Sequence, residues 1–199
     1  MTQHKALDQM LDDLAVLFDV EKTIGGDLAA NALRTITNKS HLPLPRGHDL
    51  MPDVEQAAMD IDPLPICEHM DMAMPLIDWH YSGLADGRIR PDIARQLATV
   101  ELIGPDGMIL HDTVRVGLFM QSANVDYVTH EHAADETYIM LCGSGSWSSD
   151  HSLLQAHAPG DYIHHPAMTP HTSVTLNDPF IAAWRWTGDI SYDKYSLTG

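Results

Sequence analysis

The stretch YVTHEHAADETYIMLCG, residues 127–143, sets two histidines, two glutamates, an aspartate and two tyrosines among residues that otherwise favour a β-strand. Side chains alternate faces along a strand, and His130, His132, Glu136 and Tyr138 all carry even numbers. In an extended segment the four project the same way. Thr137, Ile139 and Leu141 then take the opposite face, toward packing or solvent. Imidazoles and a carboxylate turned inward are costly unless something satisfies them. A divalent cation does so, and this donor set suits Fe, Mn, Ni or Zn.

A second piece follows in APGDYIHHPAMTPHTSV, residues 158–174. Pro159-Gly160-Asp161 reads as a turn, the next residues as a strand, and Pro166 and Pro170 bracket a loop that delivers His171. A strand returning from a hairpin brings His171 to the first cluster, giving three histidines and one glutamate. One or two coordination positions stay open, the pattern of a catalytic rather than a structural site. His164 and His165, beside Pro166, are weaker candidates to face the same space. His4, His41, His48 and His111 read as ordinary surface or core histidines.

Together the two pieces resemble the cupin motifs. His130-x-His132-xxx-Glu136-x6-Gly143 looks like the first and Gly160-x5-Pro166-x4-His171 like the second, in the right order. Asn124 and Met168 stand where these motifs usually have glycine, and Thr175 where asparagine is usual. None of the three is an inferred ligand. The resemblance narrows to cupin-type dimethylsulfoniopropionate lyases of the Q type, which carry a tyrosine two residues beyond the motif glutamate, as Tyr138 stands to Glu136. Tyr127 is similar to a tyrosine of their pocket. The likeness implies a cupin barrel (a double-stranded β-helix or jelly roll) behind an α-helical region. It also implies one divalent transition metal ion per chain, Fe2+, Zn2+ or Mn2+, held by His132, Glu136 and His171 with His130 as ligand or close neighbour, and Tyr138 as base.

The implied chemistry is a β-elimination that turns dimethylsulfoniopropionate into dimethyl sulfide and acrylate. A Lewis-acidic metal would hold the substrate carboxylate and steady the charge that develops there. A base must reach the alpha proton. A tyrosine, with a reference pKa of about 10, needs a nearby cation to serve. The sulfonium end calls for aromatic faces, and Trp184 and Trp186 share parity in FIAAWRW, with Tyr127 as a further wall. Two rivals use the same donors: an iron-dependent cupin dioxygenase acting on a small acid, and a non-catalytic cupin that binds metal and ligand. The Glu136-Tyr138 pairing weighs against thiol oxidation.

The elements that must position these groups change character near residue 100. Before it, Leu7, Leu11, Leu14 and Phe18 recur at helical spacing. GDLAANALRTITNKS repeats the pattern after a Gly25-Gly26 break, with Asp27 as cap. A proline-rich link, HLPLPRGHDLMP, leads to a short helix near Asp53. DPLPICEHMDMAMPLIDWHY is ambiguous, and RPDIARQLATVEL reads as a helix running into a strand. After residue 100, turn signals recur about every ten residues between short β-branched and aromatic runs, which predicts an antiparallel barrel. The reading is a helical region 1–98 packed on a β-barrel 99–199.

Composition fits this. Lys+Arg 11 against Asp+Glu 28 leaves a formal net charge of -17, which repels nucleic acid and anionic membrane and suits a small substrate with a positive end. Cys67 and Cys142 form no CxxC pattern and predict neither a disulfide framework nor a thiolate site. The first 20 residues lack the features of a signal peptide, so the expected location is the cytoplasm, as monomer or homodimer.

Overall fold

The computed structural model describes residues 1–36, 50–81 and 89–198. His41, His48 and most of the proline-rich link lie outside the described residues. Helix α1 (Gln3–Val20) starts at Thr2, whose hydroxyl accepts the Lys5 N–H, and turns Leu7, Leu11, Leu14 and Phe18 inward. Helix α2 (Ile24–Thr35) differs from expectation. Gly25-Gly26 forms its first turn instead of a break, and the Thr23 hydroxyl caps it by accepting the Gly26 N–H. The glycines are there for space. A Cβ on Gly25 would sit 2.5 Å from the Arg185 guanidinium, and one on Gly26 2.5 Å from the Phe18 carbonyl. Helices α3 (Pro52–Met59) and α4 (Ile66–Ala73) follow, with a 3-10 turn at Met74–Leu76 and a short α5 (Pro91–Ala94).

The strands are β1 (His80–Tyr81), β2 (Leu97–Gly104), β3 (Ile109–Leu110), β4 (Arg115–Gln121), β5 (Asp126–Glu131), β6 (Ala134–Gly143), β7 (Gly145–Ser149), β8 (Gln155–His157), β9 (Tyr162–His165), β10 (His171–Val174), β11 (Phe180–Gly188) and β12 (Ser196–Leu197). One sheet has the order β1-β2-β4-β11-β6-β9, with β3 beside β2; the other runs β12-β5-β10-β7-β8. From β4 onward the chain passes repeatedly from one sheet to the other, with antiparallel pairing. This is the cupin jelly roll preceded by helices. The boundary expected at residues 98 and 99 falls inside β2, and β1 already pairs with that strand.

The first sheet is covered on both faces. Val100, Leu102, Leu118, Met120, Ile139, Leu141, Ile181 and Ala183 point outward and share one apolar core with Leu7, Met10, Leu11, Leu14 and Phe18 of α1. Each fully buried leucine or phenylalanine there contributes about 1.5–3 kcal/mol. The inner face carries Phe119, Tyr138, Met140, Phe180, Trp184 and Trp186, and meets Tyr127 and Trp147 from the second sheet.

Residues 127–143 do not form one strand. β5 ends at Glu131 in the second sheet, β6 starts at Ala134 in the first, and His132 sits in the crossing. The even-numbered side chains still meet, because the inward faces of two opposed sheets enclose one space. Shared parity on a single strand is therefore not what brings them together.

Candidate metal centre and its pocket

His130 comes from β5, His132 from the crossing, Glu136 and Tyr138 from β6, and His171 from the first position of β10, directly opposite His130. The loop that delivers His171 is tied to the crossing by the Met168 N–H, which donates to the His132 carbonyl at 2.7 Å. Met168 adopts φ 58°, and Asn124, just before β5, φ 59°. Both are the positions where the cupin motifs usually have glycine. Asparagine tolerates this left-handed conformation; methionine holds it at a cost of about 1–2 kcal/mol. The turns keep the motif's shape without its glycines.

The three imidazoles are oriented alike. Nδ1 of His130 faces the Val128 carbonyl at 3.0 Å, that of His132 the Ala134 carbonyl at 3.2 Å, and that of His171 the Thr169 carbonyl at 2.8 Å. Each Nδ1 therefore carries the proton and donates it, leaving an Nε2 lone pair free to bind. His130, His132 and His171 are all buried, and their ligand atoms lie within 4.8 Å of one another. Glu136 Oε2 is 3.1 Å from His132 Nε2 and 3.2 Å from His171 Nε2. His171 Nε2 makes no hydrogen bond.

Four ligand atoms thus converge, and with each Nδ1 committed to a backbone carbonyl the His132–Glu136 contact at 3.1 Å is what links them. His130, His132, Glu136 and His171 are each only 2–3 % exposed. Burial, reinforced by His171, holds His130 well below the usual imidazole range, so it is neutral. Burial alone would raise the Glu136 carboxyl, but the charge His132 and His171 carry when protonated, with the His132 contact, outweighs it and keeps Glu136 ionised. A neutral imidazole and a carboxylate beside it are the state a cation binds. The donor set fits a divalent metal, and the buried histidine group points to a metal site.

The other oxygen of Glu136 is already engaged. Trp186 Nε1 donates to Glu136 Oε1 at 2.6 Å, and the Trp186 ring lies 4.2 Å from His132. This fixes the carboxylate, a positioning task that the sequence did not disclose. Trp184, opposite Tyr138 in the register, lines the pocket. Its ring packs over Gly117, where a Cβ would come within 2.5 Å of the indole.

The pocket beside the quartet has a volume of about 430 Å³. Tyr127, Tyr138, Trp184 and Trp186 form much of its wall, with Phe119, Tyr192 and Tyr195. Burial, then the Glu136 charge and Tyr127, push the Tyr138 phenol well above its ordinary range. Tyr127 stacks on His130 at 4.5 Å.

Of the weaker candidates, His164 is half-exposed and pairs with Asp135 at 2.8 Å. His165 is fully buried opposite Glu136 in the β6–β9 register and stacks on His171 at 4.1 Å. Burial and His171 lower it to about 3, so it is a neutral packing partner for a ligand. Sequence reasoning missed Tyr192 and Tyr195, which lie in the tail SYDKYSLTG. No alternation there is long enough to mark a strand.

Comparison with known proteins bears on all of this. The chain is 30% identical over 103 residues to the dimethylsulfoniopropionate lyase DddQ of Ruegeria pomeroyi, covering 52% of this chain and 51% of that protein. It is 27% identical over 114 residues to a putative dimethylsulfoniopropionate lyase, DddL, of Cereibacter sphaeroides, covering 56% and 46%. The chain therefore spans about half the length of the curated relatives it matches. The crystal structure of DddQ from Ruegeria pomeroyi superimposes with a TM-score of 0.68 at 24% identity, over 78% of this chain and 80% of that one, which establishes the shared fold. A sequence profile of the dimethylsulfoniopropionate lyases matches residues 56–182, spanning both cupin motifs, the quartet and Tyr138, and so the chain belongs to that family.

Proposed function

We propose that this protein is a metal-dependent carbon–sulfur lyase that cleaves dimethylsulfoniopropionate to dimethyl sulfide and acrylate. One observation carries the reading: a buried group of three histidines with Glu136 beside it opens onto an aromatic pocket with a tyrosine one strand step away, in a chain of the lyase family. His130, His132, Glu136 and His171 would hold the ion. When bound, it supplies Lewis acidity to the substrate carboxylate and positive charge beside Tyr138. Fe2+, Zn2+ and Mn2+ all suit these donors.

The chain's own residues do the rest. Tyr138 takes the proton alpha to the carboxylate, and the electron pair left behind forms the carbon–carbon double bond as the carbon–sulfur bond breaks. Sulfur leaves neutral with its two methyl groups. Burial and the Glu136 charge make Tyr138 resist ionisation, and a cation held by the quartet would favour its phenolate. Tyr127 and Trp184 offer π faces to the sulfonium without a nucleophile that could capture its methyl groups. Trp186 keeps Glu136 turned toward the imidazoles. The acidic surface attracts the cationic end. Two buried free thiols suit a cytoplasmic location.

Headspace analysis tests the proposal. Purified protein with dimethylsulfoniopropionate should release dimethyl sulfide, stop on chelation, and recover when metal is restored. Oxygen uptake with a small acid and no dimethyl sulfide would overturn it in favour of a dioxygenase.

A further inference from the structure

Residues 189–198 belong to neither sequence motif, yet this strap contributes Tyr192 and Tyr195 to the pocket lining. Two anchors hold this strap. At its start the buried Arg115 donates from Nε to the Ile190 carbonyl at 3.0 Å and places its guanidinium 4.4 Å over the Tyr192 ring. Arg115 is itself fixed by Glu101 at 2.6 Å and Asp106 at 2.9 Å. At its end β12 pairs with β5, setting Leu197 opposite His130 and Ser196 opposite Glu131. The Thr198 N–H adds a bond to the Thr129 carbonyl at 2.9 Å.

Between the anchors, Tyr195 lies against the quartet. Its ring is 5.4 Å from His130 and 15° from parallel, and 5.9 Å from His132 at 26°. Its hydroxyl meets that of Tyr127 at 2.9 Å. Tyr192 closes on Trp186 at 5.2 Å, behind the indole that holds Glu136.

An imidazole loses a metal when its ring turns or when water and competing ligands reach the bond. The Nδ1 hydrogen bonds restrain the rings from one side, and a flat aromatic surface against their faces restrains them from another. We propose that the C-terminal strap is the closing wall of the metal site, with Tyr195 as a positioning residue whose ring holds His130 and His132 and slows loss of the ion. This rests on reading the quartet as a metal site and does not depend on the reaction.

The test uses full-length protein loaded with Zn2+ and follows transfer to an excess of chromogenic chelator. Tyr195→Ala should release zinc on the order of tenfold faster, while Tyr195→Phe, which keeps the ring, stays within about twofold of the parent. The thermal midpoint of the zinc-free protein should move little in either variant, which separates site retention from global stability. Where the alanine variant fails to fold, Tyr195→Leu fills the space without a flat surface and should also release zinc faster. Release from Tyr195→Ala at the parent rate overturns the proposal, as does equal acceleration by Tyr195→Phe. If the parent binds no zinc, the metal-site reading falls with it; if zinc is held and no dimethyl sulfide forms, only the reaction falls.

Discussion

Strands β6 and β11 carry a buried polar cluster on each of their two faces, and the two clusters obey opposite rules. On the outer face Arg185, fully buried, donates from Nε to Glu21 at 2.9 Å, from Nη1 to Asp135 at 2.8 Å and from Nη2 to Thr137 at 2.8 Å. Donors and acceptors match there, and the network ties the turn between α1 and α2 to the sheet. On the inner face, all three Nδ1 protons go to backbone carbonyls, so Glu136 and three Nε2 atoms meet with too few donors to match them, and His171 Nε2 has no partner. A matched cluster is complete in the folded chain. An unmatched one is stable only if something else completes it, which is what a binding site requires.

The comparison can be tested by breaking one face at a time. The largest effect expected is on the inner face. Tyr138→Phe should reduce turnover on the order of 10²- to 10⁴-fold with metal content unchanged, read by dimethyl sulfide release alongside elemental analysis. On the outer face, Glu21→Ala leaves a buried guanidinium short of its main partner and should cost about 3–5 kcal/mol in urea unfolding. Burial alone would raise Glu21, but Arg185 outweighs it and holds the carboxyl below its ordinary value. Its stabilising contribution is therefore present above the unfolded glutamate range and lost as pH falls through the lower folded value.

Smaller effects sharpen the contrast. Trp186→Phe removes the donor to Glu136 and should weaken metal binding roughly 10- to 100-fold, measured by competition with a chelator. Glu136→Gln should abolish metal binding, yet in metal-free protein shift stability by no more than about 1 kcal/mol, since its amide can donate to an imidazole. A large loss there would mean the inner cluster is structural after all.

The smallest effect belongs to Glu55, in the helical layer. Burial, then the charge of Asp71, raise its carboxyl to about 7. The folded state holds this proton more tightly than the unfolded chain, so stability declines as pH rises from the unfolded glutamate range through about 7. Glu55→Gln should raise the thermal midpoint at pH 8 and leave it nearly unchanged at pH 4.

The inner cluster was legible because metal binding demands residue types that strands otherwise avoid, at spacings that two turns enforce. Parity picked His130, His132, Glu136 and Tyr138, and the proline-bracketed loop picked His171. The helical stripe of α1 was legible for the same kind of reason, four apolar residues set at one helical period. Arg185 was not. Nothing in FIAAWRW separates a buried arginine from a solvated one, because its partners Glu21 and Asp135 lie 164 and 50 residues away. Gly25-Gly26 misled for a related reason: glycine signals a break by its backbone freedom, whereas here it is the missing side chain that matters, making room for that guanidinium at Gly25 and for the Phe18 carbonyl at Gly26.

The sequence by itself determined which atoms could bind a cation and which phenol stands beside them, since residue type and local spacing are properties of the chain. Only the tertiary structure decided how they meet. Two facing sheets enclose the site where one strand was expected, Trp186 gives its N–H to Glu136 instead of standing free in the pocket, and the tail brings Tyr195 over the imidazoles. Each of these depends on contacts between segments far apart in the chain, and local patterning carries no record of them.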